Sequence, residues 1–202
     1  NGTASALAQG GIAAAIDPAD SPAAHASDTL LAGGLESNSA NVQWLCSQAP
    51  ASIEWLQAQG VEFDRDDRGW LKLGREGGHH AARIVHAGGD ATGAALVQVL
   101  RQRAQRATHV QWLGGVEAEA LLLRGDAVCG VRVRDARGHR KEMAATAVVL
   151  ATGGMGALFA RTSNPPGSDC NGLALVVASG ASLRDMEFMQ FHPTGVYGAG
   201  VL

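Results

Sequence analysis

The sequence predicts an α/β domain, and three features of its pattern support this fold class. A long stretch with apolar residues at helical spacing runs from Asn38 to Gln59. Short strands separated by turn residues follow between residues 110 and 143. The third feature is a near-continuous apolar run, Thr146 to Ala151, which ends in Thr152-Gly153-Gly154. This pattern is typical of a strand buried on both faces, and α/β domains bind ligands at the carboxyl ends of such strands.

The spacing of apolar residues predicts four helical regions, each with a residue that begins or ends it. The helix or helix pair over 38–59 has an apolar face and carries Pro50 as a kink or break, with Gly60 as its end. The face consists of Val42, Leu45, Ala49, Ile53 and Leu56. The other predicted helices run from Asp28 to Leu35, from Asp90 or Thr92 to about Ala107, and from Gly172 to Ser179.

The predicted strands fall into a hairpin and a meander. Residues 61–63 and 70–73 alternate around a polar turn and form the hairpin, and a loop is expected over 74–89. The meander strands are expected over 110–113, 118–123, 128–133 and 140–143, and residues 182–188 are expected to be extended.

Composition excludes several classes of function. Lys and Arg number 16 against 19 Asp and Glu, so no basic stripe is present to neutralise nucleic-acid phosphates. No apolar run approaches the ~20 residues that span a bilayer, so no membrane association is expected. The three cysteines form no CxxC pair and the histidines show no HExxH spacing, so neither a disulfide framework nor a metal site is predicted. A reducing, cytoplasmic location fits this cysteine usage best.

Two glycine-containing segments are candidates for ligand contact through the backbone. The Gly10-Gly11 turn, with Ser5 and Gln9 before it, either cradles a ligand with its N–H groups or is a turn without a ligand. Thr152-Gly153-Gly154 permits close approach of a cofactor, because a Cβ there would collide with it. No G-x-G-x-x-G motif, the usual start of a dinucleotide-binding fold, occurs in the chain.

Two polar sites have both a functional and a structural interpretation. Arg75 and Glu76 precede a Gly-Gly turn, and an exposed ion pair on a loop is the structural interpretation. His192, between Phe191 and Pro193, is placed to donate a hydrogen bond to a substrate carboxylate or to serve the packing of the loop.

Five motifs together resemble those of L-aspartate oxidases and, more widely, of the succinate dehydrogenase and fumarate reductase flavoproteins. In chain order they are AQGGI at 8–12, REGGH at 75–79, HAGGDATG at 86–93, ATGG at 151–154 and EFxQFHPT at 187–194. The first, fourth and fifth are shared across the wider family. REGGH followed by HAGGDATG is narrower and favours the L-aspartate oxidase branch.

The resemblance implies part of an FAD-binding, Rossmann-like domain of the glutathione reductase type, with a β-meander and without the first βαβ unit. The partial FAD-binding domain would span residues 1–195, and residues 196–202 would begin a truncated capping domain. Asn1 is not an initiating Met and no terminating signal precedes Leu202. We therefore expect an internal fragment, with the first βαβ unit, the catalytic arginine and most of the cap outside it.

The resemblance also implies a set of cofactor-binding residues. The loop from Ser5 to Gly11 would wrap the FAD pyrophosphate and flavin, and the backbone of Glu117 and Ala118 would meet the adenine end. The full set is Ser5, Ala6, Leu7, Ala8, Gln9, Gly10, Gly11, Glu117, Ala118, Thr152, Gly153, Gly154 and Asn171. Ala4 stands where covalent members of the family have a histidine, so the flavin is expected to be non-covalent. Asn171 replaces the usual aspartate of a Gly-Asp-Gly motif and loses its charge.

The implied activity is the oxidation of L-aspartate to iminoaspartate, with oxygen or fumarate reoxidising the flavin. Glu76 would orient the substrate amino group, and His192, the expected catalytic residue, would bind a substrate carboxylate together with Thr194. The family carries out this reaction at the start of de novo NAD synthesis, in the cytoplasm, with a functional link to quinolinate synthase. Two alternatives stay open: a soluble fumarate reductase or succinate-oxidising flavoprotein, and a fragment without catalysis of its own.

Overall fold

The computed structural model describes residues 3–190, and the chain divides into two compact units. The first unit comprises Asn1–Val110 and the second Gln111–Leu202. The predicted boundary between residues 195 and 196 lies outside the described residues and stays a prediction.

Three helices form most of the first unit: α1 (Pro22–Ala32), α2 (Ser39–Gln59) and α3 (Thr92–Arg106). The side chain of Asn38 accepts the N–H of Asn41 and begins α2, while Gly60 ends it at a φ of 104°. Pro50 lies inside this continuous helix, so the alternative of a helix pair broken at Pro50 is wrong. The predicted start of α3 is correct, but neither Asp90 nor Thr92 caps it with a side chain.

A small antiparallel sheet lies beside these helices. It has the order β1-β3-β2, where β1 is Ile12–Ala13, β2 is Leu73–Gly74 and β3 is Ile84–Val85. The predicted hairpin is present in shorter form, through the bridge between Arg65 and Leu71. The strand β3 falls in the region expected to be a loop, and that expectation is wrong there.

The core of the first unit joins α2, the hairpin and β3. It contains Ala14, Ile53, Leu56, Val61, Phe63, Val85 and Ala87, all buried. The predicted apolar face of α2 is wrong at Leu45, which is 63% exposed, whereas the neighbouring Cys46 is buried. Cys46 faces α1, where its sulfur lies 3.9 Å from Thr29 Oγ1. The packing of α1 therefore rotates the buried stripe by one residue.

The second unit contains an antiparallel meander and one helix. Its strands are β4 (Val116–Arg124), β5 (Ala127–Asp135) and β6 (Arg140–Ala144), paired in chain order. The short helix α4 (Asn171–Ala178) packs against β4. Three of the four meander strands are confirmed. The strand expected over 110–113 is not formed, because the Gly114-Gly115 step, with Gly115 at a φ of 72°, separates this segment from β4.

The strand predicted over residues 146–151 is absent, which corrects the strongest expectation from the sequence. Val149 is 88% exposed, and no strand of the described residues pairs with this segment. A strand is held by hydrogen bonds to a neighbour, and apolar composition alone does not supply one. Residues 182–188 likewise form no strand. Within residues 3–190, no helix combines the length and apolar character that crossing a membrane requires.

Candidate functional site

The loop from Ser5 to Gly11 exposes a row of backbone donors. It opens with a 3-10 helix, Ser5–Leu7, and then runs extended towards β1. The N–H groups of Gln9, Gly10 and Gly11 donate to no acceptor within the described part of the chain. Exposed, unpaired N–H groups in succession suit the oxygens of an anionic ligand such as a pyrophosphate. This loop fits the cofactor-binding role expected of Ser5, Ala6, Leu7, Ala8, Gln9, Gly10 and Gly11.

Two glycines allow this loop to contact its neighbours closely, because neither position has room for a Cβ. The N–H of Gly93, in the first turn of α3, donates to the carbonyl of Ala8 at 2.9 Å, and a Cβ on Gly93 would overlap the carbonyl oxygen of Ser5. Gly11 has a φ of 76°, and a Cβ there would lie 2.7 Å from the carbonyl oxygen of Val85. Both positions therefore need glycine, and together they fix the loop between α3 and β3.

Residues 75–80, named here the glutamate loop, present Glu76 to solvent. The carboxylate of Glu76 has no hydrogen-bond or ion-pair partner among residues 3–190. Arg75 donates instead to the carbonyl of His79 at 2.9 Å, so the alternative of an Arg75–Glu76 ion pair is wrong. An exposed carboxylate without a cationic neighbour is available to a positively charged ligand group.

A buried charge cluster lies directly after the glutamate loop. Arg83 is fully buried and makes two bonds of 2.8 Å to Asp20 and one of 2.7 Å to Asp28. The hydrogen bond from Arg83 is the main cause that lowers the pKa of Asp20, and the same bond raises the pKa of Arg83. All three groups thus stay charged, as a buried ion cluster with satisfied partners does.

The two histidines that border this cluster differ in environment. His25 is buried, and its Nδ1 has no hydrogen-bond partner. Burial is the main cause that lowers the pKa of His25, with Arg83 adding to the effect. The ring of His79 lies 5.7 Å from that of His25, and its Nδ1 lies 3.2 Å from Nη1 of Arg83. A neutral His25 therefore packs beside a permanent cation.

In the second unit, an open groove of about 700 Å³ collects three of the expected cofactor residues, Glu117, Ala118 and Asn171. It lies between β4 and α4. The strand β4 pairs with β5 alone, so the outer backbone edge at Glu117 and Ala118 has no strand partner in the described sheet. That edge can therefore meet a ligand through main-chain groups, as an adenine ring requires.

The Thr152–Gly154 segment lies against the start of α4. A Cβ on Gly172 would overlap Oγ1 of Thr152, and the N–H of Cys170 donates to the carbonyl of Gly154 at 3.3 Å. The side-chain amide of Asn171 donates to Asp169 at 2.9 Å. The structure thus brings the residues expected at 152–154 and 171 together, although the predicted strand before them is absent.

Charged side chains on the meander surround the same groove. Arg134 pairs with Glu117 and Glu119, each at 2.7 Å, and Arg140 pairs with Glu119 at 2.7 Å. The hydrogen bond from Arg140 is the main cause that lowers the pKa of Glu119. These contacts engage the side chain of Glu117 and leave its backbone as the part available to a ligand.

Asp64 and Thr92 hold the HAGGDATG segment in place through contacts that sequence reasoning missed. The carboxylate of Asp64 accepts the N–H groups of Gly88 and Gly89, both at 2.9 Å. The hydroxyl of Thr92 accepts the N–H of Ala87 at 3.1 Å and is buried. Thr92 is part of a motif that the sequence singled out, whereas Asp64 offered no signal beyond its place in a hairpin.

The expected catalytic residue, His192, and the expected substrate residue Thr194 lie outside the described residues. Their roles stay predictions. No group of three or more His, Cys, Asp or Glu side chains within residues 3–190 is arranged to hold a metal ion.

Known proteins match the chain along its whole length. The family model described as FAD binding domain matches residues 1–202. The L-aspartate oxidase of Agrobacterium fabrum is 42% identical over 194 residues, which are 96% of this chain and 37% of that protein. The L-aspartate oxidase of Bacillus subtilis is 42% identical over 197 residues, 98% of this chain and 37% of its own length. The chain thus spans a little more than a third of the curated relatives it matches.

Among solved structures, a quinol fumarate reductase of E. coli superposes with a TM-score of 0.94 at 29% identity. The superposition covers 99% of this chain and 34% of the E. coli chain. The fold of this chain is therefore similar to that of about a third of the E. coli chain.

Proposed function

The chain belongs to the FAD binding domain family, and on that basis we propose that a protein containing it oxidises L-aspartate to iminoaspartate with FAD. The observation that carries the proposal is the exposed carboxylate of Glu76, which has no partner among the described residues. It lies in the REGGH motif that favours the L-aspartate oxidase branch. The curated relatives named above, at 42% identity, carry the same activity in their names.

The proposed roles of the chain's residues follow from their chemistry. Glu76 binds the ammonium group of L-aspartate through charge-assisted hydrogen bonds, and His192 with Thr194 binds a substrate carboxylate. His192 is the catalytic residue of the chain, since its ring polarises the bound dicarboxylate for the loss of hydride from Cα. The bound FAD would accept the hydride that leaves Cα, which carries both electrons, while the loss of a proton from the substrate nitrogen completes the imine.

We propose that the two units contribute different parts of cofactor recognition. The free N–H groups of the Ser5–Gly11 loop bind the pyrophosphate and flavin region. The groove lined by Glu117, Ala118 and Asn171 binds the adenine end. The cofactor is held without a covalent bond at position 4, because the methyl side chain of Ala4 has no nucleophilic atom.

We also propose the electron acceptor, the cellular location and the enzyme that uses the product. Oxygen or fumarate takes the electrons from the reduced flavin, and the protein works in the cytoplasm. Iminoaspartate is reactive, so a consuming enzyme must follow, and quinolinate synthase is the proposed one, at the start of NAD synthesis.

A soluble fumarate reductase or succinate-oxidising enzyme is the second candidate. The structural similarity to the E. coli quinol fumarate reductase favours it, at a TM-score of 0.94. Against it stands Glu76, because succinate has no ammonium group and gains nothing from an adjacent free carboxylate.

The experiment uses a full-length protein that contains this chain, loaded with FAD and kept without oxygen. L-aspartate or succinate is added while the visible absorbance of the flavin is followed. Bleaching by L-aspartate and not by succinate supports the proposal. Bleaching by succinate alone establishes the second candidate, and a flavin that neither compound reduces contradicts both.

A further inference from the structure

The position of Glu76 depends on the backbone of the glutamate loop. The carboxylate of Glu76 touches no partner of its own among the described residues, so no side-chain contact holds it. Within the loop, Arg75 donates to the carbonyl of His79 at 2.9 Å, and the N–H of His79 donates to the carbonyl of Glu76 at 3.3 Å. These local bonds shape the loop, but they do not fix it to the rest of the protein.

The shortest hydrogen-bonding contact between this loop and the rest of the protein is made by Asp28 of α1, and His79 Nδ1, 3.2 Å from Nη1 of Arg83, adds a longer one. The Oδ2 of Asp28 accepts the N–H of His80 at 3.0 Å and lies 2.6 Å from Nδ1 of the same residue. The same oxygen accepts a bond of 2.7 Å from Nη1 of Arg83. One oxygen of Asp28 therefore joins the end of the glutamate loop, 52 residues away in sequence, to a buried cation 55 residues away.

The cluster behind Asp28 is rigid. Arg83 is fully buried, and Asp20, with a side chain 2% exposed, binds it through two parallel bonds of 2.8 Å. A fork of this kind fixes the guanidinium plane in addition to its charge. The Asp28 side chain, which is 12% exposed, therefore contacts the loop through the same oxygen that bonds the fixed guanidinium.

Asp28 also stays ionised over a wide pH range. Burial alone raises the pKa of its carboxyl, but the hydrogen bonds from His80 and Arg83 outweigh burial and place it well below the ordinary value. The acceptor for the loop is thus a charged carboxylate at neutral and mildly acidic pH.

We propose that Asp28 is a positioning residue for substrate recognition: held by Arg83, it fixes the glutamate loop so that the carboxylate of Glu76 is presented to the ammonium group of the substrate. This inference rests on the proposed function, in which Glu76 binds that ammonium group. It assigns specificity to a residue of α1 that makes no contact with substrate itself.

The test compares Asp28→Asn with Asp20→Asn in the full-length, FAD-loaded protein. Asn is isosteric with Asp, so each variant removes one charged partner of Arg83 without leaving a cavity. Only Asp28→Asn alters a carboxylate that is hydrogen-bonded to the glutamate loop. We expect Asp28→Asn to raise the KM for L-aspartate by about tenfold with a smaller effect on kcat, and to leave the inhibition constant of succinate unchanged. Asp20→Asn should leave the KM for L-aspartate within about twofold.

A readout without turnover accompanies the kinetics. Exchange of the His80 amide hydrogen with solvent should accelerate in Asp28→Asn and stay slow in Asp20→Asn, because only the first replaces its charged acceptor with a neutral amide. Equal changes in both variants, in exchange or in KM, would mean a general loss of stability and overturn the proposal. If Asp28→Asn fails to fold, His80→Ala replaces it as the test, because the His80 side chain is 58% exposed. This variant should also raise the KM for L-aspartate.

A double variant separates this inference from the proposed function. If Asp28 acts through Glu76, then Asp28→Asn in a Glu76→Gln background causes no further rise in the KM for L-aspartate. An additional tenfold rise there overturns the positioning role. If Glu76→Gln alone leaves the preference for L-aspartate over succinate unchanged, the proposed role of Glu76 fails, whereas the proposed function fails only if L-aspartate does not bleach the flavin of the wild type.

Discussion

The two units of the chain differ in the interactions that stabilise each of them internally. In the first unit, α2, the hairpin and β3 enclose a buried core, and Arg83 adds a buried ion cluster. In the second, Val133 and Leu175 are the buried hydrophobic side chains of the described residues, and β4–β6 rely on backbone pairing and exposed ion pairs. Side-chain packing therefore sets the local geometry in the first unit. In the second unit, strand pairing sets it and leaves one edge of β4 unpaired in the described sheet. The first unit can therefore hold a substrate-binding carboxylate in a defined position. The second unit can bind a ligand through the exposed backbone of a sheet edge.

The largest effect is expected from removing the buried cation of the first unit. Arg83→Met removes the buried guanidinium that Asp20 and Asp28 share, which costs roughly 3–5 kcal/mol of stability. Arg132→Met in the second unit removes an exposed pair with Glu142 and should cost under about 1 kcal/mol. Denaturant unfolding of the full-length protein measures both. Similar losses for the two variants would show that the units do not differ in this way.

Core packing gives the next largest contrast. Ile53 is 1% exposed and lies in the core, so Ile53→Ala should cost roughly 2–5 kcal/mol. Val149 is 88% exposed, so Val149→Ala should change stability by no more than about 0.5 kcal/mol. A thermal melt of each variant tests this difference. A large loss for Val149→Ala would mean that the 146–151 segment is packed after all.

A smaller effect is expected at the loop that meets the cofactor. Gly93→Ala forces the new methyl group against the carbonyl oxygen of Ser5, and relieving such overpacking costs about 1–3 kcal/mol. We expect FAD affinity, measured by quenching of flavin fluorescence, to fall about tenfold or more. Gly114→Ala is the matched control, because a Cβ there meets nothing within 4 Å. Unchanged FAD affinity in Gly93→Ala would remove this loop from the binding site.

The smallest expected effect is a difference in response to acid. The pKa of His25 lies below its ordinary value of about 6.5, because of burial and then of Arg83 and His79, although Asp20 and Asp28 oppose the shift. As pH falls below that value the unfolded chain takes up a proton that folded His25 does not, so stability falls. In the second unit, the lowered pKa of Glu119 keeps its contribution to stability until pH falls below about 4.5.

Unfolding measured between pH 7.5 and 5.5 tests the contribution of His25. Stability of the wild type should decline over this range, and His25→Gln should flatten the decline. Glu119→Gln serves as the control and should leave the slope in this range unchanged. An equal slope in wild type and His25→Gln would show that His25 is not the group responsible.

Much of the fold followed from local pattern, and the failures have a common physical cause. The helix α2, its ends at Asn38 and Gly60, and the three strands of the meander are set by periodicity and turn residues within short windows. The strand predicted over 146–151 is absent because a strand needs a neighbour to pair with, and the apolar composition of these residues does not supply one. The prediction that Leu45 lies on the buried face of α2 was wrong because the position of α1 decides which face of α2 is buried.

The candidate site divides in the same way. The glycines of the Ser5–Gly11 loop and the carboxylate of Glu76 were singled out from short sequence motifs, and their ligand-binding roles stay predictions. The Arg83 cluster was not, because its partners Asp20 and Asp28 are 63 and 55 residues away and each resembles a surface charge in isolation. Only the folded chain brings them together behind the glutamate loop.

The central claim is that the free carboxylate of Glu76 selects an amine-bearing dicarboxylate. The most direct test is the anaerobic binding of L-aspartate and succinate to the full-length, FAD-loaded protein, with and without Glu76→Gln, and with Glu62→Gln as an exposed control. We predict that Glu76→Gln weakens L-aspartate about ten- to a hundredfold and leaves succinate unchanged, as the loss of a charged hydrogen bond requires. An equal loss for both compounds would contradict the account.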